Sequence, residues 1–174
     1  MPKRKPMLIA IGFLLAATAG CPYQLVRQSR ADLPSGLKSL SIPLARNSTI
    51  EAGLDDMFTQ ELIKRFRADG RAMVTPAGQG EAELRCRLTG LVTFPASYSQ
   101  EGRISAETAL IMAECRLVVP GSEAEVWNSG LLVSAEEYPV GDDYLANEDA
   151  KAAALALVCR DLSEIIRSAL LDAF

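Results

Sequence analysis

The chain has 174 residues, 49% of them hydrophobic, with 18 Lys and Arg against 22 Asp and Glu and no His. Its net charge is −4, and setting aside a basic leader leaves 15 basic against 22 acidic residues, or −7, which argues against nucleic-acid binding through clustered positive charge. The absence of His removes the commonest general base and the commonest metal ligand.

Residues 1–20 read as a cleaved signal peptide. Lys3, Arg4 and Lys5 precede the apolar run Met7 to Ala17, and small residues Thr18, Ala19 and Gly20 lead into Cys21. The run is too short to span a bilayer as a mature helix. Small residues followed at once by cysteine resemble a bacterial lipobox, in which the thiol takes a diacylglycerol and the freed amine a third acyl chain. Thr18 stands where that pattern usually has Leu. At about 0.8 kcal/mol per buried methylene, two or three chains hold a protein on a membrane nearly permanently. The alternative is a soluble secreted protein that starts at Cys21, and either reading places the chain outside the cytoplasm.

Residues 21–36 contain Pro22, Pro34 and Gly36 and read as a tether. Residues 37–174 read as one domain, and the 154 residues from Cys21 onward suffice to bury about 70% of the unfolded surface. Leu40, Ile42 and Leu44 alternate with Ser39, Ser41 and Pro43, which predicts a short strand at an edge or ending at the proline. Ser48-Thr49-Ile50-Glu51 has the form of a capping box. Asp55 and Asp56 follow near the start of the predicted helix, and Lys64, Arg65 and Arg67 precede Gly70. Ile50, Leu54, Phe58, Leu62 and Phe66 form its apolar stripe. A strand over Arg71 to Thr75 then favours a parallel pair with a right-handed crossover.

Glu81 to Val92 alternates Ala82, Leu84, Cys86 and Leu88 against Glu83, Arg85, Arg87 and Thr89, the pattern of a strand with one wet face. Phe94 to Gly102 reads as a polar loop. Ser105 to Val119 and Glu125 to Ala135 make a hairpin about Pro120-Gly121-Ser122. Trp127 shares a strand side with Leu131 and Val133 in strict alternation, so it reads as core. From Tyr144 to Phe174 a long helix places Ala152, Leu155, Cys159, Leu162, Ile166 and Ala169 on one face. The fold class is therefore α+β: a two-layer sandwich of a mixed, mostly antiparallel sheet with two amphipathic helices on one face.

Beyond Cys21, the cysteines Cys86, Cys115 and Cys159 are odd in number and cannot all pair. All three sit on apolar sides and read as small buried hydrophobes. A Cys86 to Cys115 cross-strand disulfide is the alternative that an oxidising compartment allows. Without a CxxC pair or His, a metal site is disfavoured, and no cofactor is indicated. The adjacent pairs Asp55/Asp56 and Asp142/Asp143 suit helix N-termini better than a catalytic dyad. Ser97 and Ser99 lack a nearby base or a nucleophile elbow, so the chain does not read as an enzyme. On the wet face Arg85, Arg87 and Arg116 lie beside Leu110 and Met112. Their forked donors suit phosphate, against the alternative that they balance Glu83, Glu107 and Glu114 on a solvated face. Arg103 joins them as a candidate, and Phe94, Tyr98 and Tyr138 are candidates for a protein interface.

Taken in order, several segments resemble the LptE family of lipopolysaccharide-assembly lipoproteins. They are Gly20 to Leu25, Leu40 to Leu44, Asn47 to Glu51, Gly53-Leu54, Ala82 to Gly90, Val126-Trp127, Glu137 to Val140 and the helix after Asp143. Pro22 departs from the Gly that often follows the lipidated cysteine. Pro22 is not the Asp that retains lipoproteins in the inner membrane of enteric bacteria, so the chain suits the outer one. The resemblance implies a non-enzymatic, lipid-anchored protein on the periplasmic face of the outer membrane. It implies a plug for an LptD-type β-barrel, with lipopolysaccharide as the other partner and no nucleic acid. Arg85, Arg87, Arg103 and Arg116 as lipopolysaccharide contacts, and Phe94, Tyr98 and Tyr138 as barrel contacts, rest on chemistry rather than on family positions. The competing reading is a small-ligand or lipid-binding lipoprotein that works without a barrel.

Overall fold

The computed structural model describes residues 36–172. The leader, Cys21 and the tether up to residue 35 lie outside them. Eight elements follow in chain order: β1 (Ser39–Ser41), β2 (Arg46–Asn47), α1 (Leu54–Asp69), β3 (Met73–Thr75), β4 (Ala82–Tyr98), β5 (Ile104–Val119), β6 (Ala124–Pro139) and α2 (Tyr144–Leu171). The strands form one sheet in the order β3-β1-β4-β5-β6, with β2 also on β4. β1 runs parallel to both β3 and β4, whereas β4, β5 and β6 are antiparallel. The α+β sandwich with a mixed, mostly antiparallel sheet is thus the observed architecture.

Both helices pack on one face. Leu54, Phe58, Leu62 and Phe66 of α1 and Leu155, Val158, Leu162, Ile166 and Leu170 of α2 meet Leu40, Leu84, Leu88, Ile111 and Leu117 of the sheet. Truncating a residue such as Phe58 to Ala in such a layer costs about 3–5 kcal/mol. The stretch between β1 and β2 is tied down by Thr59, whose hydroxyl accepts the amide of Ala45 at 2.9 Å and donates to the carbonyl of Asp55 at 2.6 Å.

Several local expectations are corrected. Of the two readings of Pro43 the edge is the one overturned: β1 lies inside the sheet, and it ends just before Pro43, where Leu44 is 61% exposed. The capping box does not form. Asn47 instead accepts the amide of Thr49 and donates to the carbonyl of Glu51, closing an Asx-type turn that delays the helix to Leu54 and leaves Ile50 exposed. The expected loop from Phe94 is strand: β4 runs to Tyr98, with Phe94, Pro95, Ser97 and Tyr98 in register against Thr108, Glu107, Ala106 and Ile104. On α2, Ala152 and Ala169 are exposed, and Ala154, Val158 and Leu170 fill the buried stripe instead.

Trp127 packs against the core, yet Leu131 and Val133 lie on the opposite face. A bulge at Ser129-Gly130 shifts the register between Glu114 and Arg116, so strict alternation fails there. Gly130 adopts the positive φ of 64° the bulge needs, and the hydroxyl of Ser129 accepts the amide of Cys115 at 2.9 Å.

One crosslink within the sheet and one cluster between elements brace the fold. Cys86 and Cys115, in direct register on β4 and β5, are joined by a disulfide, while Cys159 remains a free, buried thiol. At the lower end, the Asp69 carboxylate accepts from Arg71 at 2.7 Å and from Arg167 at 2.6 Å, linking the end of α1, the approach to β3 and the last turns of α2. Hydrogen bonding from Arg71 first, then from Arg167, holds Asp69 below its ordinary value of 3.8 against the opposing effect of burial.

Replacing Cys86 and Cys115 together by Ala is expected to cost about 3.5 kcal/mol, the chain-entropy value for a closed loop of this span. Urea unfolding with and without reductant measures it, and the double variant should be insensitive to reductant. Asp69→Asn is expected to cost about 2 kcal/mol at neutral pH, as a lost charge-assisted pair. Because the folded value is depressed, this contribution is complete above the unfolded value near 3.8 and drains away as pH falls through the lower folded value. Urea midpoints of variant and wild type should therefore converge as pH falls through the folded value.

Candidate functional site

The face of the sheet turned away from the helices carries the candidate site. On β4, Glu83, Arg85 and Arg87 alternate with core residues and point outward. Register sets Arg85 opposite Arg116 and Arg87 opposite Glu114 on β5, with Arg46 of β2 beside Arg87. Together with Glu125 and Asn128 of β6 they line an open groove of about 450 Å3. Arg85, Arg87 and Arg116 are thus brought together as expected.

Their electrostatics differ. Arg85 donates through Nε to Glu83 and through both terminal nitrogens to Glu123 in the β5–β6 turn. The Glu123 hydrogen bond, then that of Glu83, raises the Arg85 pKa, and Arg85 in turn lowers that of Glu123. Arg87 donates to the Ser48 hydroxyl at 3.2 Å. Arg116 has no ion pair among the described residues. With Glu114 and Glu125 also on the rim, four carboxylates face four arginines and the net field is small, so an anion would displace a carboxylate at Arg85 but not at Arg116. Arg103 does not belong to this group. It sits in the β4–β5 turn, paired with Asp142 at 2.9 Å and Glu101 at 3.1 Å, and 13 strand residues separate Arg85 from Tyr98, roughly 40 Å.

Along the same face the groove gives way to apolar rows. Gly90, Met112 and Val133 are in register, then Val92, Leu110 and Ala135, with Leu131 beside Glu114. Leu131, Val92 and Val133 are 58%, 46% and 46% exposed. Gly90 makes room for Met112: a Cβ there would stand 2.5 Å from the Met112 methyl. The far end of the sheet holds Phe94, Tyr98 and Ile104, all exposed. The β6–α2 connection meets this end through Arg103–Asp142 and a 3.0 Å hydrogen bond from the Val140 amide to the Ser105 carbonyl. Tyr144 and Leu145, the first residues of α2, add exposed apolar surface there. Sequence reasoning passed over them, although two apolar residues outside the buried stripe of an amphipathic helix were the available signal.

The model of the LptE family, described as Lipopolysaccharide-assembly, matches residues 37–170. That is most of the chain. The protein belongs to the LptE family. It is thereby placed among outer-membrane lipoproteins. A comparison with curated proteins returned no match. Among solved structures, the fold is similar to lipoprotein B of Nitrosomonas europaea at 17% identity and TM-score 0.51, covering 81% of this chain and 85% of that one. A minor lipoprotein of Acinetobacter baumannii is similar at 11% identity and TM-score 0.53, covering 78% and 92%. The rare lipoprotein B of Shewanella oneidensis is similar at 14% identity and TM-score 0.51, covering 74% and 94%. At these identities the likeness concerns the fold alone.

As an LptE family member the protein is non-catalytic. Among the described residues no group of three or more His, Cys, Asp or Glu is placed to hold a metal ion, and no helix is long and apolar enough to cross a membrane. Asp143 caps α2 by accepting the amides of Leu145 and Ala146, and Asp55 and Asp56 lie in the first turn of α1. The Ser97 and Ser105 hydroxyls pair across strands at 2.8 Å, while Ser99 accepts the amides of Glu101 and Arg103. Burial pushes the Cys159 thiol up to about 12, which leaves it unreactive at neutral pH.

Tyr138 must be removed from the interface candidates. It is 5% exposed on the helix side of β6, and its hydroxyl donates to Glu107 at 2.6 Å. Burial first, then the Glu107 hydrogen bond, raises its pKa. Tyr138→Phe is expected to cost about 1–2 kcal/mol by leaving a half-buried carboxylate without its donor. Thermal unfolding checks this, and Glu107→Gln combined with Tyr138→Phe should cost less than the two changes summed.

Proposed function

We propose that this LptE family member is anchored on the periplasmic face of the outer membrane by acyl chains on Cys21, after cleavage of residues 1–20. The tether of residues 21–36 then holds a single domain that begins at residue 37. There it serves as a plug for an LptD-type β-barrel and supports its assembly and its delivery of lipopolysaccharide to the outer leaflet. The observation that carries the reading is the division of the open sheet face. Arginines at one end suit the phosphates of an amphiphile, and Val92, Leu110, Met112 and Val133 beyond them suit its acyl chains. The Cys86–Cys115 disulfide supports an oxidising compartment. Phe94, Tyr98, Tyr144 and Leu145 at the far end offer the aromatic and apolar contacts that a protein partner takes up. Arg103, beside them, is assigned to this partner end or to a lipopolysaccharide arriving there.

The test is co-purification of C-terminally tagged protein from mildly solubilised outer membranes. A large β-barrel in equal amount supports the reading, and a lipoprotein that emerges alone sinks it. Cys21→Ala should release the protein from the membrane. For lipopolysaccharide affinity, Arg116→Ala should weaken binding about tenfold, the equivalent of 1.4 kcal/mol. Arg85→Ala should weaken it less, because Arg85 must first part from Glu83 and Glu123. Unchanged binding in Arg116→Ala would remove the groove from the mechanism.

A further inference from the structure

β6 is a border of the sheet: β5 pairs with one side of it, and among the described residues no strand lies on the other. The Val140 amide donates to the Ser105 carbonyl, which fixes the phase of the β5–β6 ladder. In an antiparallel pair, inward and outward amides alternate. The inward amides are therefore those of Leu132, Ser134 and Glu136, and the amides of Leu131, Val133, Ala135 and Glu137 point to the open edge. The bulge at Ser129-Gly130 and Pro139 bracket this run but do not interrupt it. From Leu131 to Ala135 it holds no Lys, no Pro and no charge, which are the means by which natural sheets block their edges.

We infer that the β6 edge between Leu131 and Glu137 takes up an extended polypeptide segment as a further strand. Backbone geometry selects a strand, since the outward amides and carbonyls repeat at the spacing only another extended chain can match. Charge selects its chemistry. β6 carries Glu125, Glu136 and Glu137 and no Lys or Arg, so two copies of this edge would bring like net charge together, while a segment ending in Lys or Arg is attracted. The added strand places apolar side chains beside Leu131, Val133 and Ala135 and widens the apolar rows of the open face. This edge is separate from the arginine groove, and its occupancy does not depend on whether a barrel is the partner.

The experiment follows amide hydrogen exchange of the full-length lipidated protein in detergent micelles. The probes are two capped peptides, Lys-Val-Thr-Val-Thr-Val-Lys and the same peptide with Glu at both ends. The Lys-ended peptide should slow exchange at Val133 and Ala135 at least tenfold at millimolar concentration, and the Glu-ended peptide should not. Val133→Pro should abolish the effect, because it deletes an outward amide that β5 does not use; far-UV circular dichroism confirms its fold. Equal protection by both peptides overturns the inference, as does no protection by the first. Protection that grows with protein concentration in the absence of peptide also overturns it, by identifying a second copy as the occupant. The wild-type comparison decides the matter even if the proline variant fails to fold.

Discussion

Two helices can shield only one face of a sheet, and every functional feature of this domain follows from that. β4, β5 and β6 run for 17, 16 and 16 residues, so each extends to roughly 55 Å. α1, with 16 residues, reaches about 24 Å, and α2, with 28, about 42 Å. Among the described residues the two helices leave the opposite face bare, together with Phe94, Tyr98 and Ile104 toward the far end. The long hairpins therefore serve both as the wall of a core and as a bare platform. The disulfide ties β4 to β5 within that platform, and the Asp69 cluster ties the ends of the two helices to the approach to β3.

The alternation of Leu84, Cys86 and Leu88 and the four-residue spacing of Leu54, Phe58, Leu62 and Phe66 made the layers legible, because each repeats one geometric period over several turns or pleats. What was not legible depended on single residues that break a period. The bulge at Ser129-Gly130 exchanges the two faces of β6, so Leu131 and Val133 appear to belong with Trp127 when they lie opposite it. The amides that a capping box would use go elsewhere, that of Ser48 to the Leu88 carbonyl and that of Glu51 to the Thr49 hydroxyl. Pro95 and two serines made Phe94 to Tyr98 look like a loop, yet register irregularities on either side of Ser97 let the strand continue. The bulge and the continued strand rest on pairing with a distant strand, which local spacing does not contain.

The site was legible in composition and less so in energetics. Alternation placed Arg85, Arg87 and Arg116 on one surface, and the register confirms their meeting. It gave no sign that Glu123, in the turn after β5, would close on Arg85 with both carboxylate oxygens. That contact separates one engaged arginine from Arg116 and makes the groove a balanced one. Arg103 was grouped with these by residue type alone, and strand length separates them. Tyr138 illustrates the converse: an aromatic before a proline at a strand end looked available, but the N-terminal half of α2 covers it and Glu107 takes its hydroxyl proton in a hydrogen bond.

An open apolar strip flanked by a neutralised charged groove is a poor site for a freely diffusing ligand. If a partner removed about 300 Å2 of apolar surface over Val92, Leu131 and Val133, the gain at about 25 cal/mol per Å2 would be about 7.5 kcal/mol. Loss of translational and rotational freedom costs an estimated 4–15 kcal/mol, so the strip alone does not guarantee a lasting complex. Confinement to one membrane changes that balance. A lipid anchor makes the second contact effectively intramolecular and raises the local concentration of a membrane partner without any new side-chain contact. On this argument the moderate chemistry of the open face and the acyl anchor proposed on Cys21 are complementary. A tight, strongly charged groove would make such a tether superfluous, whereas a platform this mild gains from it.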